Sequence, residues 1–293
     1  MATASEPKVD ARTGTPTTGH EWDGIAELNT PLPRWWLWTF YACIIWSIGY
    51  WVVYPTWPGI TGFTEGLFNW NSRSAVVEDL NELQTIRAPG AAKLAAANIG
   101  DIEKNPELLT IATATGKAAF ANNCAPCHGS GAQGAKGYPN LNDDDWLWGG
   151  TLADIQQTLT HGIRWDADKD TRAGDMPAFG ATGMLKADEI ANVAQYVRSL
   201  SGLPNETGAD LAKGKDVFAA NCAACHGDAG KGNAELGAPN LTDKIWLYGS
   251  DTASIVNRIN VGGGGKMPAW GGRLDPTTIK ALTVFVHSLG GGK

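Results

Sequence analysis

The hydrophobic pattern divides the chain into stretches of different character. Residues 1–30 mix small, polar and charged residues with no sustained apolar period. Within them 1–19, rich in Thr, Ala, Pro and Gly, read as disordered, and His20 to Leu28 reads as a short amphipathic lead-in. From Trp35 to Val53 the pattern becomes continuously apolar, and no charged residue occurs between Arg34 and Glu65. A helix over that run rises about 28 Å, close to the roughly 30 Å hydrocarbon thickness of a bilayer, which predicts a membrane anchor within 31–57. Trp35, Trp36 and Trp38 at one end, with Tyr50, Trp51, Tyr54 and Trp57 at the other, form two interfacial aromatic belts. A polar stretch precedes the run and Tyr54-Pro55-Thr56-Trp57-Pro58 follows it, so it reads as uncleaved rather than as a signal peptide. Residues 58–107 read as a linker with short helices: a loop over 58–74, then a helix-prone stretch over 75–97 interrupted at Pro89-Gly90.

Beyond residue 107 the period is helical, and no strand alternation survives. Ile190, Val193, Val197 and Leu200 form one amphipathic stripe, and Ile279, Leu282, Val286 and Leu289 form another. These two helices close a duplication. Gly116 to Cys124 matches Gly214 to Cys222, Pro139 to Gly149 matches Pro239 to Gly249, Met176 to Gly180 matches Met267 to Gly271, and Tyr196 to Leu200 matches Phe285 to Leu289. The copies occupy 108–202 and 203–293, and the first carries an extra segment around 163–173. The missing Cβ of Gly116 and Gly214 permits close crossing of each copy's first helix against its own closing helix, at Tyr196 and Phe285 respectively. The fold class read from this is all-α: one N-terminal transmembrane helix, then two tandem helical domains.

Each copy contains C-x-x-C-H, as Cys124-Ala125-Pro126-Cys127-His128 and Cys222-Ala223-Ala224-Cys225-His226. This is the signature of covalent c-type haem attachment. The two thiols add across the porphyrin vinyl groups, and the adjacent imidazole ligates the iron. The fifth cysteine, Cys43, lies inside the apolar run, so no pair is left for a structural disulfide. Two covalently bound c-type haems are therefore expected, attached through Cys124 and Cys127 and through Cys222 and Cys225, with His128 and His226 as axial ligands. Each copy is under 100 residues, small for a self-sufficient core, and a covalently held haem is expected to serve as core in each.

The sixth iron position sets the chemistry. Met176 and Met267 recur in the same Met-Pro-Ala-aromatic-Gly context, whereas Met184 lacks it and reads as packing. A thioether favours ferrous iron, so His/Met ligation raises the potential and suits electron transfer. Sequence alone leaves open which methionine reaches which iron, and ligation within each copy is the default. His161 is a rival ligand that reads better as a propionate or surface contact, His287 reads as solvent-facing, and His20 has no second His or Cys nearby to complete a metal site.

A formal charge of −7 with no basic stripe argues against a nucleic-acid partner. Residues 108–202 hold seven Lys and Arg against ten Asp and Glu, with Asp143, Asp144 and Asp145 the densest run. That excess reads as a solvated face, or as a docking surface for a basic soluble cytochrome. Lys8, Arg12 and Arg34 precede the anchor, while the first basic residue after it is Arg73. The positive-inside rule then puts the N-terminus in the cytoplasm and the haem domains in the periplasm of a bacterial inner membrane.

The two haem motifs with their Met-Pro-Ala-aromatic segments resemble class I cytochrome c over 108–293. Gly19-His20-Glu21-Trp22-Asp23-Gly24-Ile25, Pro31 to Trp36 and Tyr54 to Pro58 extend the resemblance over nearly the whole chain. The chain is similar to the membrane-anchored dihaem cytochrome c subunit of cbb3-type cytochrome c oxidases. That resemblance implies a haem-copper catalytic subunit and a monohaem cytochrome c subunit as partners, and a soluble cytochrome c or similar donor. It implies no catalysis by this chain beyond iron redox, and it implies that Pro139 and Pro239 offer their carbonyls to the proximal histidines. A free-standing anchored dihaem shuttle is the alternative. A dihaem peroxidase fits less well, since it wants an open sixth site and this chain offers a methionine for each haem.

Overall fold

The computed structural model describes residues 3–4 and 8–290. The chain forms two compact units, Met1–Thr85 and Ile86–Lys293. The first begins with a small antiparallel sheet of β1 (Thr3–Ala4), β2 (Thr17–Trp22) and β3 (Ile25–Leu28), in the order β1-β2-β3. Trp22 pairs with Ile25 across Asp23-Gly24, whose φ values of 51° and 84° are those of a two-residue hairpin turn. The expected helical lead-in is thus a hairpin. Residues 8–19, expected to be disordered, are ordered too. Val9 bridges Pro16, and the Asp10 carboxylate accepts hydrogen bonds from the backbone N–H groups of Arg12 and Thr13.

Helix α1 (Arg34–Val53) buries none of its residues within the protein. Among the described residues it is the one helix long and apolar enough to cross a membrane. Its 20 residues rise about 30 Å. Tyr54 is extended and Pro55 follows, which ends the helix.

Helix α2 (Ser72–Ala96) runs continuously through Pro89, where the sequence pattern predicts a break, and its last turns belong to the second unit. There Gly90 lies against Ile111, and Leu94 is buried with Ile102, Ala112, Ala281 and Val284. The end of the expected linker therefore packs as core. Leu94 and Ile102 are too apolar to remain in water once helices from further along the chain present a matching face.

The second unit continues with α3 (Ile99–Ile102), α4 (Pro106–Asn123), α5 (Ala125–His128), α6 (Leu152–His161), α7 (Ala187–Leu200), α8 (Leu211–Asn221), α9 (Ala223–His226), α10 (Thr252–Val261) and α11 (Pro276–His287). Side-chain caps start most of the longer ones. Asn105, Thr151, Asp210, Asp251 and Asp275 each accept from a backbone N–H in the first turn.

The main departure from the sequence pattern is which helices cross. Helix α4 packs on α11 and α8 packs on α7, so the two copies exchange closing helices. A Cβ on Gly116 would collide with the Ala281 carbonyl and the Phe285 side chain. One on Gly214 would meet Asn192 and, at 2.9 Å, the Cβ of Tyr196. The Phe120 and Phe285 rings pack at 5.5 Å and the Phe218 and Tyr196 rings at 5.4 Å. The glycines thus do permit close crossing, but against the other copy's helix. Helices α7 and α8 are separated by ten residues, whereas more than fifty separate each copy's first and closing helices, and elements near in sequence more often pack together. Helix α4 is then left to α11.

Candidate haem sites

Each haem motif sits where a long helix ends. The backbone N–H groups of Cys124 and Cys222 donate to Phe120 and Phe218, completing the last turns of α4 and α8. A second short turn then carries the rest of each motif. This puts Cys124 and Cys222 inside and leaves Cys127 and Cys225 exposed. Burial, with a smaller push from the neighbouring cysteine, raises the thiols of Cys124 and Cys222 to about 11. Burial therefore disfavours the thiolate at both inner cysteines in the haem-free chain.

The imidazoles are oriented from behind. His128 Nδ1 lies 3.0 Å from the Pro139 carbonyl oxygen, and His226 Nδ1 lies 3.0 Å from that of Pro239. A carbonyl only accepts, so Nδ1 carries the proton and Nε2 keeps its lone pair for a metal. Burial holds both imidazoles below the usual histidine range, against the opposing pull of those carbonyls. Burial favours the neutral imidazole, and the carbonyl selects the tautomer whose Nε2 is free for a metal.

The methionines arrive crosswise. Met267 packs into the core that contains Cys124, Phe120, Ile155 and Leu159, and Met176 packs into the one that contains Cys222, Phe218, Ile255 and Ile259. Backbone bonds fix this exchange. Ile163 and Met267 exchange N–H to carbonyl bonds of 2.9 Å in both directions, and Gly263 donates to the Met176 carbonyl at 2.7 Å. Gly162 and Gly262, at φ of 70° and 60°, end α6 and α10 directly against those Met-Pro-Ala segments, and no side chain would fit there. The packing therefore differs from the within-copy default: each copy's Met-bearing segment lies against the other copy's haem-motif core.

The cradle fits a haem in each site. Four buried side-chain nitrogens lack a partner among the described residues, and two of them are Trp146 Nε1 and Trp246 Nε1. These indoles recur seven residues after Pro139 and Pro239 and pack beside Cys124 and Cys222 respectively. A buried N–H left unpaired costs about 1–3 kcal/mol, and a porphyrin propionate would supply the missing acceptor. Sequence reading placed both tryptophans in the repeat but gave them no role. Their equal offset from the two prolines was the available signal.

The remaining candidates fall outside these cores. His161 Nδ1 faces the Asp168 carboxylate at 3.1 Å, with Asp170 close by, a surface contact as expected. His287, expected to face solvent, is instead partly buried and paired with Glu103 at 2.6 Å. Met184, expected to be packed, is exposed. His20 stacks on Trp22. In the inter-copy cleft lined by Tyr138, Pro139, Asp143, Asp145 and Trp246, burial pushes the Asp145 carboxyl up to about 6, helped by Asp243, Asp143 and Asp144.

Comparison with known proteins covers nearly the whole chain. Family models match it as the N-terminal domain of cytochrome oxidase-cbb3, FixP, over residues 14–61, as cytochrome c over 113–201, and as cytochrome c oxidase, cbb3-type, subunit III, over 209–286. The chain is 65% identical to the cbb3-type cytochrome c oxidase subunit FixP of Azorhizobium caulinodans, covering 97% of this chain and 96% of that one. It is 62% identical to the FixP subunit of Bradyrhizobium sp. strain ORS 278, covering 99% and 100% of the two chains. It is 48% identical to the CcoP subunit of Cereibacter sphaeroides, covering 95% and 96%.

Proposed function

The chain belongs to the FixP family of cbb3-type cytochrome c oxidase subunits, and on that footing we propose how its residues serve electron transfer. It is a membrane-anchored electron-transfer subunit of a cbb3-type oxidase, carries two covalently bound c-type haems, and works alongside the catalytic subunit of that complex. Bound, the haems supply one-electron iron redox. Cys124 and Cys127 tether the first haem and Cys222 and Cys225 the second. His128 and Met267 ligate the first iron, and His226 and Met176 the second. Pro139 and Pro239 hold the imidazole tautomers, and Trp146 and Trp246 donate to propionates.

The observation that carries this reading is the meeting of each motif with a methionine at one hydrophobic core. A sixth ligand at both irons leaves no open site for peroxide, so the chain itself is non-catalytic and relays electrons. The donor is a soluble periplasmic cytochrome c or similar protein. The acceptor side is the haem-copper subunit, with a monohaem cytochrome c subunit in the same complex. The N-terminus is cytoplasmic and the haem domains are periplasmic. The surplus acid of the first copy, including the Asp143 to Asp145 run, steers a basic donor.

The test is purification of the complex from gently solubilised membranes, with spectra and oxygen uptake recorded together. Both c haems should be low-spin and show the thioether-to-iron charge-transfer band when oxidised. Donor-dependent oxygen uptake should fall steeply with ionic strength. A high-spin c haem would sink the ligand assignment, and rates flat across salt would sink the steering.

A further inference from the structure

The segment following α1 presents an apolar surface that its own unit leaves bare. Ile60 is fully exposed and Phe63, Leu67 and Phe68 are each more than 60% exposed, while Glu65 is the one charged residue among 54–70. A water-facing loop of such composition would be anomalous for a soluble protein.

The segment is also ordered, and it folds back toward the helix it leaves. Pro58 bridges Phe63, Thr64 N–H donates to the Trp57 carbonyl at 2.9 Å, and the Thr64 hydroxyl accepts from Trp57 N–H at 3.0 Å. Leu67 and Phe68 then donate their backbone N–H groups to the carbonyls of Val52 and Val53, each at 3.0 Å. Those carbonyls belong to the last turn of α1 and have no helical partner. Gly66, at φ 70°, makes the approach possible, because a Cβ there would lie 2.5 Å from the Val53 oxygen. Trp57 packs edge-on against Trp51 at 5.0 Å, and Tyr54 packs against Phe68 at 5.5 Å and Trp70 at 6.0 Å.

The hydrogen bonds set the depth of this surface. Leu67 and Phe68 lie level with Val52 and Val53, and Trp57 packs beside Trp51, all within the last turn of the span. From that register we infer that residues 57–70 form an interfacial collar seated in the lipid of the leaflet at the C-terminal end of α1. Phe63, Leu67 and Phe68 contact acyl chains, and Trp57 and Trp70 sit among the headgroups. The chemistry fits that occupant: aromatic rings with polar edges favour the headgroup level, and the backbone groups that approach the end of the span, the carbonyls of Val52 and Val53 and the N–H groups of Trp57, Thr64, Leu67 and Phe68, are paired within the protein, as a setting near hydrocarbon requires. The collar makes the anchor broader than one helix, fixing its depth and the point where α2 leaves the membrane. The inference rests on α1 spanning the bilayer, and retention of the chain in carbonate-washed membranes reports that separately.

The test places the photo-crosslinking amino acid p-benzoylphenylalanine at Phe63, at Leu67 and, as a water-facing control, at Glu78. The full chain is used, in native membranes, with covalent haem content confirming the fold of each variant. Irradiation should give phospholipid adducts at the first two positions with a yield about tenfold above the control. A subunit-sized adduct at those positions would overturn the collar in favour of a protein contact. A yield equal to that at Glu78 would overturn it in favour of water.

Discussion

If the methionines are exchanged, removing one should damage the haem at the other end of the repeat. Consider Met267→Ala. Met267 is half-buried beside Phe120, Cys124 and Leu159, so truncation loses part of the 2–5 kcal/mol typical of a buried methionine, about 1–2 kcal/mol. The larger consequence is the loss of a soft ligand, which lowers the potential of whichever iron Met267 serves. The assay uses a background holding one haem, Cys124→Ala with Cys127→Ala, which leaves only the Cys222/Cys225 site. Adding Met267→Ala there should leave the thioether-to-iron band intact, and adding Met176→Ala should abolish it. In the mirror background, Cys222→Ala with Cys225→Ala, the two outcomes should be reversed. Loss of the band with Met267→Ala in the first background would refute the exchange and restore ligation within each copy.

Three further outcomes follow from the packing. Gly116→Ala forces a methyl into the Ala281 backbone and should cost about 3 kcal/mol, read as a lower melting temperature with reduced haem retention; an unchanged midpoint would mean that α4 and α11 do not cross there. Trp146→Phe replaces the indole with a smaller phenyl ring and removes its N–H, so it should lower the melting temperature of the haem-loaded protein by several degrees more than that of the haem-free chain, which loses packing volume alone. Asp145 holds its proton up to about pH 6 in the folded chain but loses it near pH 4 when unfolded, so the folded state binds more protons between these values. Stability therefore falls as pH rises through that window, and the penalty is complete above it. Asp145→Asn should raise the melting temperature at pH 7.5 and not at pH 4; because the group is partly solvated, the gain is about 1 kcal/mol or less.

The sequence was informative where chemistry or length sets a residue's role. The C-x-x-C-H pentapeptides, the anchor flanked by tryptophans and the paired Met-Pro-Ala segments can each be read without coordinates. Partner choice could not be read. Tyr196 and Phe285 occupy equivalent positions, so Gly116 would accept either, and the α7 to α8 connection decides the matter through chain geometry rather than side-chain preference. The N-terminal hairpin was legible and missed: Asp23-Gly24 between Trp22 and Ile25 is a strong two-residue turn signal, obscured by the polar composition around it. Pro89 misled in the other direction, because a proline predicts a helix break and α2 passes through it.

The crossed packing also bears on modularity. Tandem repeats ordinarily behave as beads, each separable at the seam between them. Here the seam near residue 202 falls between α7 and α8, which pack together, while α4 and α11 lie on opposite sides of it. Cutting or recombining the chain at that point would strand both halves, removing a closing helix and a methionine from each. The two haem modules have become a single heritable part, to be exchanged between chains together or not at all.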